Sequence, residues 1–115
     1  MQKLVLIVDD SRVARMSLKK ALMSHDAASM DIAEVASAEE AIEYLKREQR
    51  HPDIIFMDVM MAGMDGLTAT IKIKATPNLS HIPVVICTGN QSELNNLIHH
   101  RFLSSGIFWF QKLKL

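Results

Sequence analysis

Three aspartates, one hydroxyl and one amine carry the chemistry open to this chain. Asp9 and Asp10 follow the apolar run 4–8, Asp58 closes the run 54–57, Thr88 closes 84–87, and Lys112 follows 107–111. If those run ends share one rim, three carboxylates crowd together, so either they are held partly protonated or a cation sits among them. Hard oxygen ligands with no nearby cysteine or paired histidine select Mg²⁺ rather than zinc. With Mg²⁺ in place, a carboxylate can attack a phosphoryl group and form an acyl phosphate. The transferred group is strongly anionic, and the Lys112 ammonium, the Thr88 hydroxyl and backbone amides are the donors that could hold its oxygens. Asp58 stands alone on the central run and is the best placed nucleophile, leaving Asp9 and Asp10 for the metal. Taken in isolation, Asp58 reads equally well as a structural ion-pair partner or a cap.

The elements that must position these groups alternate between strand and helix. Residues 3–8 are apolar and β-branched, as in a central strand. Ser11 can cap a helix over about 12–24, with Val13, Met16, Leu18, Leu22 and Met23 at helical spacing and Arg12, Arg15, Lys19 and Lys20 pointing elsewhere. Residues 31–35 alternate like a more exposed edge strand. Ser37-Ala38-Glu39-Glu40 is a capping box opening a helix to about Arg50, with Ala41, Ile42 and Leu45 inward. The run 54–57 is a strand buried on both faces. A third helix over 67–74 must stop near Pro77, and Pro83 opens a strand over 84–88. A fourth helix over about 92–104 ends before Gly106, and 107–111 is the last strand. Five strands alternating with four helices predict a mostly parallel sheet with helices on both faces. Ligands bind beyond the carboxyl ends of such strands, which places all five chemical groups on one rim.

Composition narrows the class. At 115 residues the chain is expected to be one domain over 1–115, and an apolar fraction of 49% is ordinary for a globular protein. Thirteen basic and thirteen acidic residues leave no global field for nucleic acid or an anionic membrane. The run 4–8 is too short for a membrane span or a signal-peptide core, so a cytoplasmic location is expected. Cys87, the only cysteine, sits in an apolar run and reads as a buried thiol. His99 and His100 beside Arg101 read better as a solvated helix face than as a metal site, because adjacent helical residues do not share a face.

The stretches Leu-Ile-Val-Asp-Asp, Phe-Met-Asp-Val-Met-Met-Ala-Gly-Met-Asp-Gly, Val-Ile-Cys-Thr-Gly and Gln-Lys, in this order, resemble the receiver domain of two-component response regulators, of the single-domain chemotaxis type. The resemblance spans essentially the whole chain. It implies a flavodoxin-like open parallel five-stranded sheet of order 2-1-3-4-5. It further implies Asp58 as phosphoacceptor, with Mg²⁺ held by Asp10, Asp9, Asp58 and the backbone carbonyl of Met60, and with Thr88 and Lys112 on the phosphoryl oxygens. Thr88 and an aromatic, best matched by Trp109, would form the switch that phosphorylation biases. The partner implied is a phosphohistidine on a histidine kinase or phosphotransfer protein. The domain itself would catalyse transfer and slow autodephosphorylation, so it is not a conventional enzyme. Met60 and Asn90 are the positions that would tune phosphoryl lifetime.

Four departures from the pattern bear on these expectations. Ala62 and Leu113 stand where the family commonly has proline, and the segment before Lys112 is about one residue short. The chain also stops where a fifth helix is expected, so that helix is absent or truncated. A sheet face stripped of its helix exposes apolar side chains, and three accounts follow: a shortened chain, a homodimer or segment exchange through that face, or a fold that tolerates the loss. The last is the least favoured, since exposed apolar area costs roughly 25 cal/mol per Å² against a margin of about 5 to 15 kcal/mol. Two other functions stay open. One is a receiver-like interaction or dimerisation module that no longer switches. The other is an aspartyl-nucleophile phosphatase of the haloacid dehalogenase type, disfavoured because Asp9 and Asp10 are adjacent rather than spaced Asp-x-Asp.

Overall fold

A computed structural model describes residues 2–26, 30–88 and 107–111, without the side chains of 25, 26, 107 and 109–111. The elements are β1 (Lys3–Val8), α1 (Arg12–Asp26), β2 (Met30–Val35), α2 (Ala38–Arg47), β3 (Ile54–Asp58), α3 (Gly66–Ala75), β4 (Val84–Thr88) and β5 (Ile107–Gln111). They form one five-stranded sheet of order β2-β1-β3-β4-β5, and every neighbouring pair is parallel. This is the predicted flavodoxin-like sheet. The expected fourth helix and any helix after β5 fall outside the described residues.

Register explains where the core sits. Leu6 pairs with Ile55, Ile55 with Val84, and Met57 with both Val8 and Ile86, so these six side chains point to one face. There they meet Ala41 and Leu45 of α2 and Ala69 and Ile73 of α3 in a continuous buried cluster. The opposite face is different. Val5 and Ile7 are buried, but Ile54, Phe56 and Val85 are only half-buried, and Phe108 of β5 is 55% exposed. The central strand is therefore fully buried on one face only, a correction to the symmetric burial expected of it. An open cavity of about 450 Å³ lies on this side, bordered by Leu22, Ile54 and Phe56.

Helix α1 packs on only part of the face its apolar spacing suggested: Leu18 and Leu22 turn toward the sheet, and the other three positions do not. Val13 and Met16 are 73% and 58% exposed and Met23 is exposed too, whereas Ala14, Arg15, Leu18, Lys19 and Leu22 are half-buried. Arg15 and Lys19 carry their charges to Glu34 of β2, at 3.2 and 3.4 Å.

The local signals behave as their chemistry requires. Ser37 caps α2 by accepting the Glu40 N–H at 3.0 Å. The Glu40 carboxylate reaches back to the Ala36 N–H at 2.6 Å, one residue earlier than the usual capping box. Helix α2 ends at Arg47, short of the expected Arg50, because Glu48 turns to extended backbone. Replacing Ser37 with Ala orphans the Glu40 amide, and urea unfolding should show a loss of about 1 kcal/mol. At the far end of α3, Lys74 donates to the carbonyls of Ile82 (2.6 Å) and Ser80 (3.1 Å), bracing the turn that delivers β4. Burial pushes the Lys74 ammonium below its ordinary range. Lys74→Met keeps the stem but leaves those carbonyls without this donor, and the same unfolding experiment should show a loss of about 1 to 2 kcal/mol.

Candidate functional site

Parallel strands all end on the same side of a sheet, and this geometry assembles the site. Asp9 and Asp10 follow β1, Asp58 is the last residue of the adjacent β3, and Thr88 is the last residue of β4 beside it. Carboxylate oxygens of Asp9, Asp10 and Asp58 all lie within 4.8 Å of one another. Asp9 and Asp58 are buried, at 6% and 7% exposure, while Asp10 is exposed and opens the cluster to solvent. Thr88 is buried, and Asp58 is in register with Cys87, so the threonine sits one step further along the neighbouring strand. Met60, two residues past Asp58, is 62% exposed in the loop beyond it.

Two buried carboxylates and an exposed one this close together repel one another, a repulsion that a divalent cation would relieve. Their donor set is all oxygen and offers no sulfur or imidazole among the described residues, which suits a hard divalent cation of the Mg²⁺ class. The residues present therefore fit such an ion.

Backbone around the carboxylates is tied at several points. The Asp9 N–H donates to the Val35 carbonyl (3.2 Å), the Asp9 Oδ1 accepts the Ser11 N–H (2.9 Å), and the Asp9 carbonyl accepts from Arg15 Nη1 (2.7 Å). Beyond Asp58, the Val59 N–H donates to the Cys87 carbonyl and the Gly66 N–H donates back to the Val59 carbonyl, at 3.2 and 3.1 Å. The loop between them turns at Gly63, whose φ of +80° is a left-handed conformation that glycine adopts without strain. The Glu39 carboxylate at the start of α2 accepts the Met64 N–H at 3.3 Å, and Asp65 caps α3 by accepting the Thr68 N–H at 2.8 Å. Gly66 is required by contact: a Cβ there would overlap the Asp58 carbonyl.

Of the predicted site residues, Asp9, Asp10 and Asp58 are brought into one cluster, with Thr88 on the adjoining strand. Lys112 lies outside the described residues, as does Asn90. The Trp109 backbone is in β5, in register with Ile86, but its side chain is outside the described set. Sequence reasoning missed Arg15, Glu39 and the steric role of Gly66. The Asp65-Gly66 pair, a cap followed by a residue without a side chain at the start of α3, is the signal that could have found the last.

The chain matches the model of the response regulator receiver domain over residues 5–107. It is 42% identical over 94 residues to protein-glutamate methylesterase/protein-glutamine glutaminase 2 of Paramagnetospirillum magneticum, covering 79% of this chain and 25% of that protein. The chain thus spans about a quarter of that relative's length. Two-component response regulator ORR8 of Oryza sativa subsp. indica is 35% identical over 86 residues, with 75% of this chain and 68% of that one covered. Among solved structures, the Mn²⁺-bound form of response regulator Rcp1 aligns with a TM-score of 0.81 at 23% identity, covering 98% of this chain and 83% of the other, a likeness of fold. Among the described residues no helix is long and apolar enough to cross a membrane.

Proposed function

We propose, on the premise that this chain belongs to the response regulator receiver domain family, that it takes a phosphoryl group onto Asp58 in a Mg²⁺-dependent reaction and thereby controls a protein partner. Membership of this family supports a role in two-component phosphorelay signalling. The observation that carries the finer reading is the cluster of Asp9, Asp10 and Asp58 within 4.8 Å at the ends of two adjacent strands.

Asp9, Asp10 and Asp58 would hold the cation, with the Met60 backbone carbonyl completing the protein's ligands. Bound there, Mg²⁺ would neutralise the carboxylates and the developing charge on the phosphoryl oxygens. One Asp58 oxygen attacks phosphorus, the P–N bond to the donor histidine breaks with its electron pair going to that nitrogen, and the imidazole leaves neutral, keeping the proton already on its other ring nitrogen. Thr88 contributes a hydroxyl to the phosphoryl oxygens and Lys112 an ammonium. Trp109 is the aromatic that would change state with Thr88. The domain over 1–115 acts on itself rather than on a pool of substrate, and slow hydrolysis of the acyl phosphate returns it to rest. The donor is a histidine kinase or phosphotransfer protein, and the location is the cytoplasm. The fold shared with the Mn²⁺-bound form of response regulator Rcp1 supports the reading of this pocket.

Incubation with a small phosphodonor such as acetyl phosphate, followed by intact mass and hydroxylamine lability, tests it. A Mg²⁺-dependent gain of one hydroxylamine-labile phosphoryl group is expected. No gain, together with no beryllofluoride binding, would sink the reading.

A second reading is favoured by the exposed Val13, Met16 and Met23 of α1 and Phe108 of β5. It holds that the α1 side of the sheet is an interface, with a homodimer as its simplest form. Sedimentation of the wild type and of Asp58→Asn decides it: a dimer indifferent to Asp58 supports a module that no longer switches, and a monomer removes the dimer.

A further inference from the structure

Among the described residues, the one best placed to act on the acidic cluster without belonging to it is Arg15. Its Nη1 donates to the Asp9 carbonyl at 2.7 Å, while its Nε donates to Glu34 Oε1 at 3.2 Å. One planar guanidinium on α1 thus links the end of β1 to the edge strand β2, and its side chain is only 16% exposed. A charge-assisted bond to a backbone carbonyl, from a rigid fork, fixes position more firmly than a flexible ammonium can. The carbonyl it holds belongs to the peptide joining Asp9 to Asp10, so the fork fixes the backbone from which both carboxylates project. The Val35 and Ser11 bonds hold the N–H and Oδ1 of Asp9, and Arg15 holds the remaining backbone group.

A cation next to a cation site carries a cost, and Glu34 offsets it. Glu34 takes Arg15 on one oxygen and Lys19 on the other, at 3.2 and 3.4 Å. Part of the guanidinium's field is thereby cancelled before it reaches the carboxylate cluster. We propose that Arg15 is a positioning residue for the divalent-cation site of Asp9, Asp10 and Asp58, with Glu34 holding its fork in place and balancing its charge. The inference rests on the proposed cation-binding function of that cluster.

Charge alone and positioning predict opposite signs. If Arg15 acted only by its charge, removing it would tighten Mg²⁺ binding. If it positions the ligands, removing it loosens binding, in the range of about 10-fold or more that outer-shell partners of metal ligands typically contribute. Titration calorimetry with Mg²⁺ alone, on wild type, Arg15→Ala and Arg15→Lys at fixed ionic strength, reads the sign. Melting in EDTA shows that each variant is folded. Expected are a Kd about 10-fold weaker for Arg15→Ala and a smaller weakening for Arg15→Lys, which keeps the charge but cannot fork to two acceptors. Binding equal to or tighter than wild type in folded Arg15→Ala overturns the proposal. Should that variant not fold, Arg15→Lys decides alone: weaker binding supports the proposal and wild-type binding overturns it. Failure of the wild type to bind Mg²⁺ is a different result, and it refutes the cation site itself.

Discussion

Asp58→Asn is expected to abolish phosphoryl uptake from acetyl phosphate while leaving the metal-free protein at least as stable as wild type. The two halves of this result have one cause. Asn has the shape of Asp but not its nucleophilic charge, so no acyl phosphate can form on it. The carboxylate it replaces is 7% exposed and shares a 4.8 Å cluster with Asp9 and Asp10. Two like charges at about 4 Å repel by about 1 kcal/mol in water and by more where water is partly excluded. Removing one of three therefore relieves repulsion, and thermal melting in EDTA should show an unchanged or higher midpoint. Added Mg²⁺ should raise the wild-type midpoint more than that of Asp58→Asn, since the ion binds folded protein and the variant replaces a charged oxygen ligand by a neutral amide oxygen. A variant that still gains a hydroxylamine-labile phosphoryl group would place the nucleophile elsewhere.

Gly66→Ala is expected to do the reverse, losing stability first and activity as a result. A methyl at Gly66 would overlap the Asp58 carbonyl and come within 2.9 Å of Met57 Cγ, the last two residues of the central strand. The Gly66 N–H also donates to the Val59 carbonyl, so the helix start cannot withdraw without losing that bond. Overpacking of this kind typically costs 1–3 kcal/mol, and contact with backbone rather than a side-chain tip puts the expected loss at about 3 kcal/mol. Urea unfolding followed by the fluorescence of Trp109, the only tryptophan, measures it. In the fraction that stays folded, phosphoryl uptake should fall as well, because relief of the clash moves Asp58 itself. A variant within 0.5 kcal/mol of wild type would show that α3 can shift freely against β3.

The strands and the carboxylates were legible because each is a local property. An apolar run ending in a polar residue marks the strand and its end together, and parallel topology then brings Asp9, Asp10, Asp58 and Thr88 to one side. The packing of α1 was legible only in part. Of the apolar residues at helical spacing, Leu18 and Leu22 face the sheet but Val13, Met16 and Met23 do not, and the helix also turns Ala14, Arg15 and Lys19 inward, the last two paired with Glu34 on a separate strand. No pattern within the helix encodes the position of Glu34. The half-open face of β3 was hidden for the same reason: β-branched and aromatic residues look alike whether or not a neighbour covers them.

The amino-acid sequence by itself determined the chemical groups, their order and the family, since residue types at strand ends need no third dimension to be recognised. Only the tertiary structure decided that Arg15 joins the Asp9 carbonyl to Glu34, that Glu39 reaches the Met64 amide, and that Gly66 must lack a side chain. Each of these depends on a distance between residues far apart in the chain or on separate elements, fixed by how strands pair and helices settle on them.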